Sequence, residues 1–510
     1  MKQIIYLILA GLTLFNCTGY LDEESKTTLT VDALYSTAEG IEKAVTGLYV
    51  IEQRGPRDGA WWDGAEMLSI IGGTDITLMN GGPANGYRTY DPIEMQNGEG
   101  VATNIWKYHY TVIAKANEII HHGEQLLPEH AELARPIAEA KYFRAHAYFW
   151  LFRKYDRIWL NTEPTTPENV NDPRDYRPAA PEDVYELVTN DLDYAIENLK
   201  DGVRDPGRVT IALARHIRAD VAMWQGNWAE AIKQAEAIFA DQSYALVSLE
   251  RLFESAELNH SESLYILRSA KGGYDVMTNR MQSHFIPWYD KVCGERSFLN
   301  GGWGWGWLYP NTYLFGLYDQ QRDQRYQAFY KHHYIVTKLN ADMPAGTEIG
   351  DTVKVTPDNK SLYYTAFHPT TTKFVDLWSV SSPDDGWSYK DFMVYRLAET
   401  CLFAAEACMR SGDQVNARKY YNMTWVRAGN TPVTGEVTEQ MIMDEQAREL
   451  GLEGHRWFFL KRIGKLISQV RLHGGDLNPY TDYNYLDVRM NIKEHNVRWP
   501  LPNAELNVMG

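Results

Sequence analysis

Cysteine is scarce in this chain, and its scarcity excludes two kinds of stabilisation. Only four cysteines occur in 510 residues. None of them forms a CxxC pair, so the sequence predicts neither a disulfide framework nor a zinc site. Cys401 and Cys408 fall on an apolar stripe of helical spacing, which indicates positions in the core. A chain of this length can bury a large core without such crosslinks.

Positive charge is also in deficit. The chain has 50 Lys and Arg against 67 Asp and Glu, which gives a formal net charge of -17. A surface of this sign repels phosphates, so nucleic acid is not an expected partner. The charge identifies no substrate, because its general effect is to keep a protein soluble.

No apolar run is long enough to cross a bilayer. The run from Ile4 to Phe15 is shorter than the roughly 20 residues of a spanning helix, and it follows a basic start. We therefore predict a signal peptide over residues 1–16. Cys17 comes next and resembles the lipid-acceptor cysteine of a bacterial lipoprotein, although Asn16 stands where a small residue is usual. Acyl chains on Cys17 would hold the protein on a membrane, and plain secretion is the alternative.

Motifs of catalysis are missing as well. The sequence contains no nucleophile elbow, phosphate-binding loop or zinc motif. The pairs His121–His122 and His332–His333 are adjacent, whereas metal ligands on a helix need a spacing of three or four residues. We expect no catalytic residue, metal or cofactor, although the two carboxylates of a glycoside hydrolase would meet only in space.

What the sequence does contain is a strong helical pattern. One apolar stripe is formed, at spacings of four and three, by Ala138, Tyr142, Ala145, Phe149 and Phe152. Glu139, Lys141 and Arg144 lie to the sides of this stripe. Long amphipathic helices of this kind must pack against one another, so the predicted fold class is mainly α.

An internal repeat refines this prediction. Ala219-Asp220, Met223, Gly226-Asn227 and Ala231 match, at identical offsets, Ala405-Glu406, Met409, Gly412-Asp413 and Ala417. In each copy the Gly suits the left-handed end of one helix and the next residue suits the N-cap of a second. We predict a helical array of tetratricopeptide-like helix-turn-helix units with long loops and a few short strands. An ordinary antiparallel helix pair is the alternative.

Short landmarks occur in a fixed order along the chain. They include Tyr20-Leu21-Asp22, Ala44 to Tyr49, Glu139 to Ala145, Gly207 to Thr210, Asp323-Gln324-Arg325, Tyr395 to Glu399, Glu453 to Trp457 and Trp499 to Pro502. In this order they resemble the landmarks of the SusD/RagB family of nutrient-binding outer-membrane lipoproteins. Two segments, Asp156 to Trp159 and Asp444 to Gln446, depart from the family pattern. Each landmark alone is a weak signal, whereas their order across the chain is a specific one.

The resemblance implies a single SusD-like body over residues 17–510, with an N-terminal region at about 20–230 and a C-terminal region at about 260–510. It also implies a lipid-anchored protein on the outer membrane that faces the exterior and binds oligosaccharide. Its implied partner is a SusC-like TonB-dependent transporter, to which the glycan is delivered. Some relatives handle peptides instead. The family's motifs are structural, so they carry no binding residues over to this chain.

Candidate binding residues must therefore come from chemistry, and three tryptophans stand out. Trp303, Trp305 and Trp307 alternate with glycines, and we call them the indole row. If the segment is extended, all three rings point to the same side. Sugar rings present C–H faces that pack on aromatic rings, and the intervening glycines would leave room for close approach. The alternative is that these indoles plug the junction between loop and helices.

Further aromatic candidates lie in the long segments without helical period. They are Trp61 and Trp62, then Trp288 and Tyr289, and then Trp378 and Trp387. Polar partners for a sugar would be residues such as Asp75 and Asn80. Four hypotheses remain open: a non-catalytic glycan-binding subunit, a peptide-uptake subunit, a secreted glycan hydrolase, and a helical scaffold that binds only proteins.

Overall fold

A computed structural model describes most of the chain between residues 34 and 509. The described residues are 34–54, 65–81, 86, 89–97, 99–166, 169–172, 175–199, 205–269, 279–341, 343–356, 358–477, 484–485 and 487–509. The predicted signal peptide, Cys17, Trp61 and Trp62 lie outside these ranges.

The fold is mainly α, as the sequence predicts. Helices of the first half are α1 (Ala38–Arg54), α2 (Ala65–Ile71), α3 (Pro92–Asn97), α4 (Glu99–Leu126), α5 (Ala134–Tyr155), α6 (Pro181–Asn198), α7 (Ile211–Gln225), α8 (Trp228–Phe239) and α9 (Leu249–Leu252). Those of the second half are α10 (Met281–Phe285), α11 (Asp290–Cys293), α12 (Thr312–Gly316), α13 (Arg325–Ala328), α14 (Leu397–Arg410), α15 (Gln414–Arg427), α16 (Glu439–Leu450), α17 (Arg456–Arg462), α18 (Leu466–His473), α19 (Asp487–Asn491) and α20 (Asn503–Met509). None of the helices in the described ranges is long and apolar enough to span a membrane.

Strands are short and pair two by two. They are β1 (Thr77–Met79), β2 (Ser263–Leu267), β3 (Leu308–Pro310), β4 (Tyr330–Lys331), β5 (Thr370–Thr371), β6 (Phe392–Arg396), β7 (Asp476–Leu477) and β8 (Asn484–Tyr485). The antiparallel pairs within the described ranges are β1–β3, β2–β6, β4–β5 and β7–β8. In the first pair Met79 lies opposite Leu308, which joins the segment before α12 to the N-terminal half.

The predicted repeat is confirmed as two helix-turn-helix units. Helix α7 pairs with α8, α14 pairs with α15, and α8 packs against α14. Gly226 and Gly412 have φ of 69° and 81°, the left-handed region that favours glycine at the turn between two helices. Asn227 and Asp413 then cap α8 and α15 by accepting hydrogen bonds from backbone N–H groups three residues on.

Helix α5 is buried more completely than its amphipathic pattern predicts. The whole predicted stripe is buried, but Glu139 and Arg144 at its sides are buried too, at 0% and 5% exposed. Glu139 pairs with Arg208, and Arg144 makes a two-pronged ion pair with Asp191 at 2.7 and 2.8 Å. The charged flanks therefore face neighbouring elements instead of water, because α5 is packed between α4 and α6.

A buried network of charged side chains joins the helices of the second half to strands β2 and β6. Its basic members are Arg325, Lys373, Arg396, Arg427 and Arg448, and its acidic members are Glu262, Asp323, Glu445, Glu449 and Glu453. Five cations thus face five carboxylates, so the network balances its charge while buried. Several of these residues belong to the sequence landmarks that resemble the SusD/RagB family. Their place in the network gives those landmarks a structural role.

The cysteines of the described chain are free and buried, as core residues should be. Cys401 and Cys408 lie on α14 where it faces α15, and Cys293 ends α11. Burial raises the pKa of the Cys293 and Cys408 thiols to about 12, which keeps both protonated and unreactive at neutral pH.

Candidate functional site

The indole row lies on a segment that backbone hydrogen bonds fix at both sides. The N–H of Trp305 donates to the carbonyl of Ser283 at 2.6 Å, and the N–H of Trp307 donates to that of His284 at 2.8 Å. The backbone N–H of Asn80 donates to the carbonyl of Trp307 at 2.7 Å, next to the end of the β1–β3 ladder where Met79 pairs with Leu308. The row is therefore held between α10 and the β1–β3 strand pair.

Its three rings meet, but they do not stand side by side as an extended segment would place them. Trp305 and Trp307 are stacked, with centroids 4.4 Å apart and planes 8° from parallel. Trp303 meets Trp305 edge to face at 5.0 Å and 74°. The backbone is not extended throughout, since Gly306 has φ of 60°. All three indoles remain partly exposed.

The glycines between the tryptophans do not serve a ligand, contrary to the sequence-based prediction. Gly304 and Gly306, which separate the three tryptophans, are buried, as are Gly301 and Gly302 before them. A Cβ on Gly304 would overlap the backbone carbonyl of Ile286, so this glycine allows two segments of the protein itself to approach each other. The exposed parts of the row are its indole rings.

A second segment, residues 376–389, carries Trp378 and Trp387 and lies against the indole row through Gly386, and we call it the tryptophan loop. A Cβ on Gly386 would lie 3.0 Å from the six-membered ring of Trp303, so the loop lies directly on the row. The hydroxyl of Ser283 donates to the carbonyl of Gly386 at 2.9 Å and fixes this contact. Trp378 and Trp387 are 46% and 39% exposed, more than any ring of the row.

Asp376 fixes the backbone of the tryptophan loop through hydrogen bonds. Its buried carboxylate accepts hydrogen bonds from the backbone N–H groups of Trp378, Ser379 and Tyr389 at 3.1, 2.9 and 2.9 Å, and from the hydroxyl of Ser388 at 3.1 Å. Burial alone would raise the pKa of Asp376, but hydrogen bonds from Ser379, Tyr389 and Trp378 outweigh it and lower the pKa. The loop that presents Trp378 and Trp387 is thus fixed at several backbone positions by one carboxylate.

Arg280 connects the loop to the row. Its guanidinium carbon lies 3.8 Å from the ring centroid of Trp387 and 5.2 Å from that of Trp305. Both distances are in the range of a cation–π contact. Trp307, Trp305, Arg280 and Trp387 therefore form a continuous series of ring and guanidinium contacts, and Trp303 adjoins it through Trp305. We call these residues, together with the exposed Trp378 of the same loop, the aromatic surface.

His284 lies behind this surface. It is 0% exposed, and its ring lies 5.4 Å from the rings of both Trp305 and Trp307. Burial, with a smaller contribution from the charge of Arg280, lowers the pKa of His284 to about 3. Neither ring nitrogen has a hydrogen-bond partner within the described ranges, so the side chain acts as a neutral aromatic support.

The other predicted site residues are placed elsewhere. Trp288 is 40% exposed with Lys291 Nζ 4.2 Å from its ring centroid, and no ring contact joins it to the indole row within the described ranges. Tyr289 is 1% exposed, and its hydroxyl donates to the carbonyl of Gly302 at 2.7 Å. It supports the segment before the row and lines no surface.

The prediction that Asp75 is a polar partner for a sugar is wrong. Asp75 is 0% exposed and forms a two-pronged ion pair with Arg456 at 2.8 and 2.6 Å. A carboxylate that is 0% exposed is out of reach of a sugar hydroxyl on the surface. Asp75 therefore ties the turn before β1 to α17.

Across the part of the chain that the structure describes, no three His, Cys, Asp or Glu side chains come together as metal ligands would. A separate concavity of about 510 Å³ is lined mainly by apolar residues that include Met95, Trp499, Leu501 and Leu506. It shares no lining residue with the aromatic surface.

Two functional residues were not foreseen from sequence. Arg280 contacts Trp305 and Trp387, which lie 25 and 107 positions away from it. Asp376 accepts hydrogen bonds from Trp378 and from Tyr389, 2 and 13 positions away. No local motif marks either residue. The only signal was the presence of Trp378 and Trp387 in a long segment without helical period.

Comparisons with known proteins agree on one family. The model described as "SusD family" matches residues 278–510. A SusD-like protein, P25, from Formosa agariphila is 24% identical, over 99% of this chain and 97% of the relative. A solved laminarin-binding SusD-like protein superposes with a TM-score of 0.69 at 21% identity, covering 93% of this chain and 98% of the other. A structure solved with a xylogluco-oligosaccharide gives 0.67 at 19% identity, covering 92% and 96%.

Proposed function

Because this chain belongs to the SusD family, we propose that it is a non-catalytic surface protein that captures oligosaccharide on the aromatic surface. The observation that carries the proposal is the exposure of Trp378 and Trp387 on a loop that Asp376 and Ser283 hold rigid. Large apolar rings that are both exposed and rigidly held mark an interaction site rather than an accident of packing.

The chemistry of the surface suits sugars. An indole face packs against the C–H groups of a pyranose, while the hydroxyl groups of the sugar stay hydrated. Since the rings are already ordered by their own contacts, little conformational entropy is lost when a glycan binds. The laminarin-binding relative and the relative solved with a xylogluco-oligosaccharide support glycan as the ligand class.

The proposal includes a membrane anchor and a partner. Acylation of Cys17, after removal of residues 1–16, would tether a single body of residues 17–510 to the outer membrane on its exterior side. The captured glycan would pass to a SusC-like TonB-dependent transporter. Metabolic labelling with a radioactive fatty acid, compared between the wild type and Cys17→Ala, tests the anchor. Co-purification with the barrel from the native membrane tests the partner.

Titration calorimetry against a panel of oligosaccharides tests the binding function. We expect Trp387→Ala and Trp378→Ala to weaken binding of the best ligand about tenfold each, equal to about 1.4 kcal/mol, while the fold is retained. Trp288→Ala, at a tryptophan of similar exposure that has no ring contact with the indole row within the described ranges, is the matched control and should bind as the wild type does. Equal losses in all three variants would contradict a site on the aromatic surface.

The alternative functions give different results in the same assay. A peptide-uptake subunit would bind peptides and none of the glycans. A glycan hydrolase would release shorter products from the bound oligosaccharide on prolonged incubation, which chromatography detects. We expect the ligand to be recovered intact.

A further inference from the structure

Arg280 has an unusual position for a charged residue in a proposed sugar-binding surface. It lies between two indoles, 3.8 Å from the centroid of Trp387 and 5.2 Å from that of Trp305. Its side chain is only partly exposed, so these rings replace much of the water around the charge. Contact with both rings fixes the direction of the planar guanidinium.

Within the described ranges, the protein leaves the hydrogen-bonding groups of Arg280 unused. The Nε–H is buried without a hydrogen-bond partner there, and no carboxylate forms an ion pair with the guanidinium. Other arginines of intermediate burial, such as Arg215 and Arg489, donate at least one hydrogen bond to an oxygen of the protein, whereas Arg280 donates none in these ranges. Burying part of a cation without a counter-ion or acceptor costs free energy, so this arrangement suits a site where a ligand supplies the missing charge.

The neighbouring charges do not satisfy Arg280. Asp384 of the tryptophan loop pairs with Arg296 at 3.3 Å, and Asp290 also approaches Arg296, at 3.5 Å. Asp385 accepts a hydrogen bond from the backbone N–H of Trp387. Arg296 lies 5.8 Å from the ring centroid of Trp303, but its charge is balanced by the two aspartates. Arg280 is thus the basic group of the aromatic surface that remains available to an anion.

We propose that Arg280 recognises the anionic group of an acidic sugar, a carboxylate or a sulfate ester, in a glycan that lies on the aromatic surface. The inference rests on the proposed function and narrows its ligand class. A guanidinium presents parallel N–H groups that match the two oxygens of either anion. The flanking indoles contact the sugar ring while the guanidinium binds the charge, so the two kinds of contact select an acidic glycan over a neutral one.

Calorimetry with two pairs of probes tests the proposal. The first pair is an oligogalacturonate and its methyl ester, which differ in the carboxylate charge. The second is a sulfated galactan oligosaccharide and its desulfated form. We expect the wild type to bind at least one charged probe about tenfold more tightly than its neutral counterpart. The pair that shows the preference identifies the anion.

Substitution of Arg280 makes the test specific. Arg280→Met keeps an unbranched apolar stem between the indoles and removes the charge, so it should abolish the preference for the charged probe. Affinity for the charged probe should fall about tenfold further than affinity for the neutral probe. Arg280→Lys keeps the charge without the planar fork and should retain only part of the preference. Arg177→Met removes the same charge from an exposed pair with Asp175 and should keep the full preference.

The outcomes separate this inference from the proposed function. If the wild type binds neutral glycans on the aromatic surface with no preference for the charged probes, the role of Arg280 is wrong and glycan capture stands. Equal losses for charged and neutral probes in Arg280→Met would also overturn it, since Arg280 would then only support the rings. Failure to bind any glycan contradicts both proposals. Unchanged near-ultraviolet circular dichroism of each variant confirms that the fold is intact.

Discussion

Replacement of Arg325 by methionine tests whether the buried charge network holds the second half of the fold together. The Arg325 side chain is 0% exposed. It donates to Asp323 at 2.9 and 2.7 Å, to Glu445 at 2.7 and 3.2 Å, and to Glu449 at 2.8 Å. Methionine keeps much of the volume and removes all of these bonds.

The expected loss of unfolding free energy follows from the charges that remain in the network. Four cations would face five buried carboxylates, and Asp323, Glu445 and Glu449 would each lose a partner that they cannot replace with water. Removing one partner of a buried ion pair costs about 3 to 5 kcal/mol. That is a large part of the roughly 5 to 15 kcal/mol by which folded domains are stable, so Arg325→Met should unfold at much lower urea concentration.

Urea unfolding, followed by circular dichroism, measures this loss. Arg177→Met is the matched control, because Arg177 and Asp175 are 85% and 59% exposed and water replaces the lost contact. The control should unfold as the wild type does. If Arg325→Met also unfolds as the wild type does, the network contributes no net stability and our reading of the family-like landmarks as structural is refuted.

Three further outcomes are expected. Gly412→Ala should cost about 1 to 2 kcal/mol in urea unfolding, because φ there is 81° although a Cβ would meet no atom within 4 Å. Gly47→Ala, inside α1 and equally uncrowded, should stabilise by about 0.5 to 1 kcal/mol, and equal signs for the two variants would contradict the backbone argument. His284 has a folded pKa of about 3, below its unfolded value, so its presence destabilises the fold as pH falls below about 6.5. His284→Phe should therefore gain about 2 to 3 kcal/mol relative to the wild type between pH 7 and pH 4.5, and a pH-independent difference would show that His284 is not held neutral.

Much of the helical architecture could be predicted from sequence, because its signals are local. The turn between α7 and α8 needs only Gly226 and Asn227, whose roles as helix end and N-cap are set by neighbours within four residues. The same holds for Gly412 and Asp413. The burial of Glu139 could not be foreseen, because its partner Arg208 lies 69 positions away and no local sequence pattern indicates that pairing.

In the aromatic surface, too, the features set by local sequence could be predicted and those set by distant residues could not. The proximity of Trp303, Trp305 and Trp307 follows from their spacing, but their stacking depends on the left-handed Gly306 and on hydrogen bonds to α10. Tyr289 directly follows the exposed Trp288 and yet is buried, since its ring stacks on Tyr334, 45 positions later. The sequence therefore identifies the aromatic residues, but it does not separate exposed binding candidates from buried residues that only support them.

A crystal structure with a bound oligosaccharide tests the central claim most directly, using the glycan with the highest affinity in calorimetry. We predict density for sugar rings against Trp387 and Trp378, along the edge of the indole row, with the reducing and non-reducing ends extending into solvent. Density confined to another place, such as the concavity lined by Met95, Trp499 and Leu506, with the aromatic surface left bare, would contradict the account.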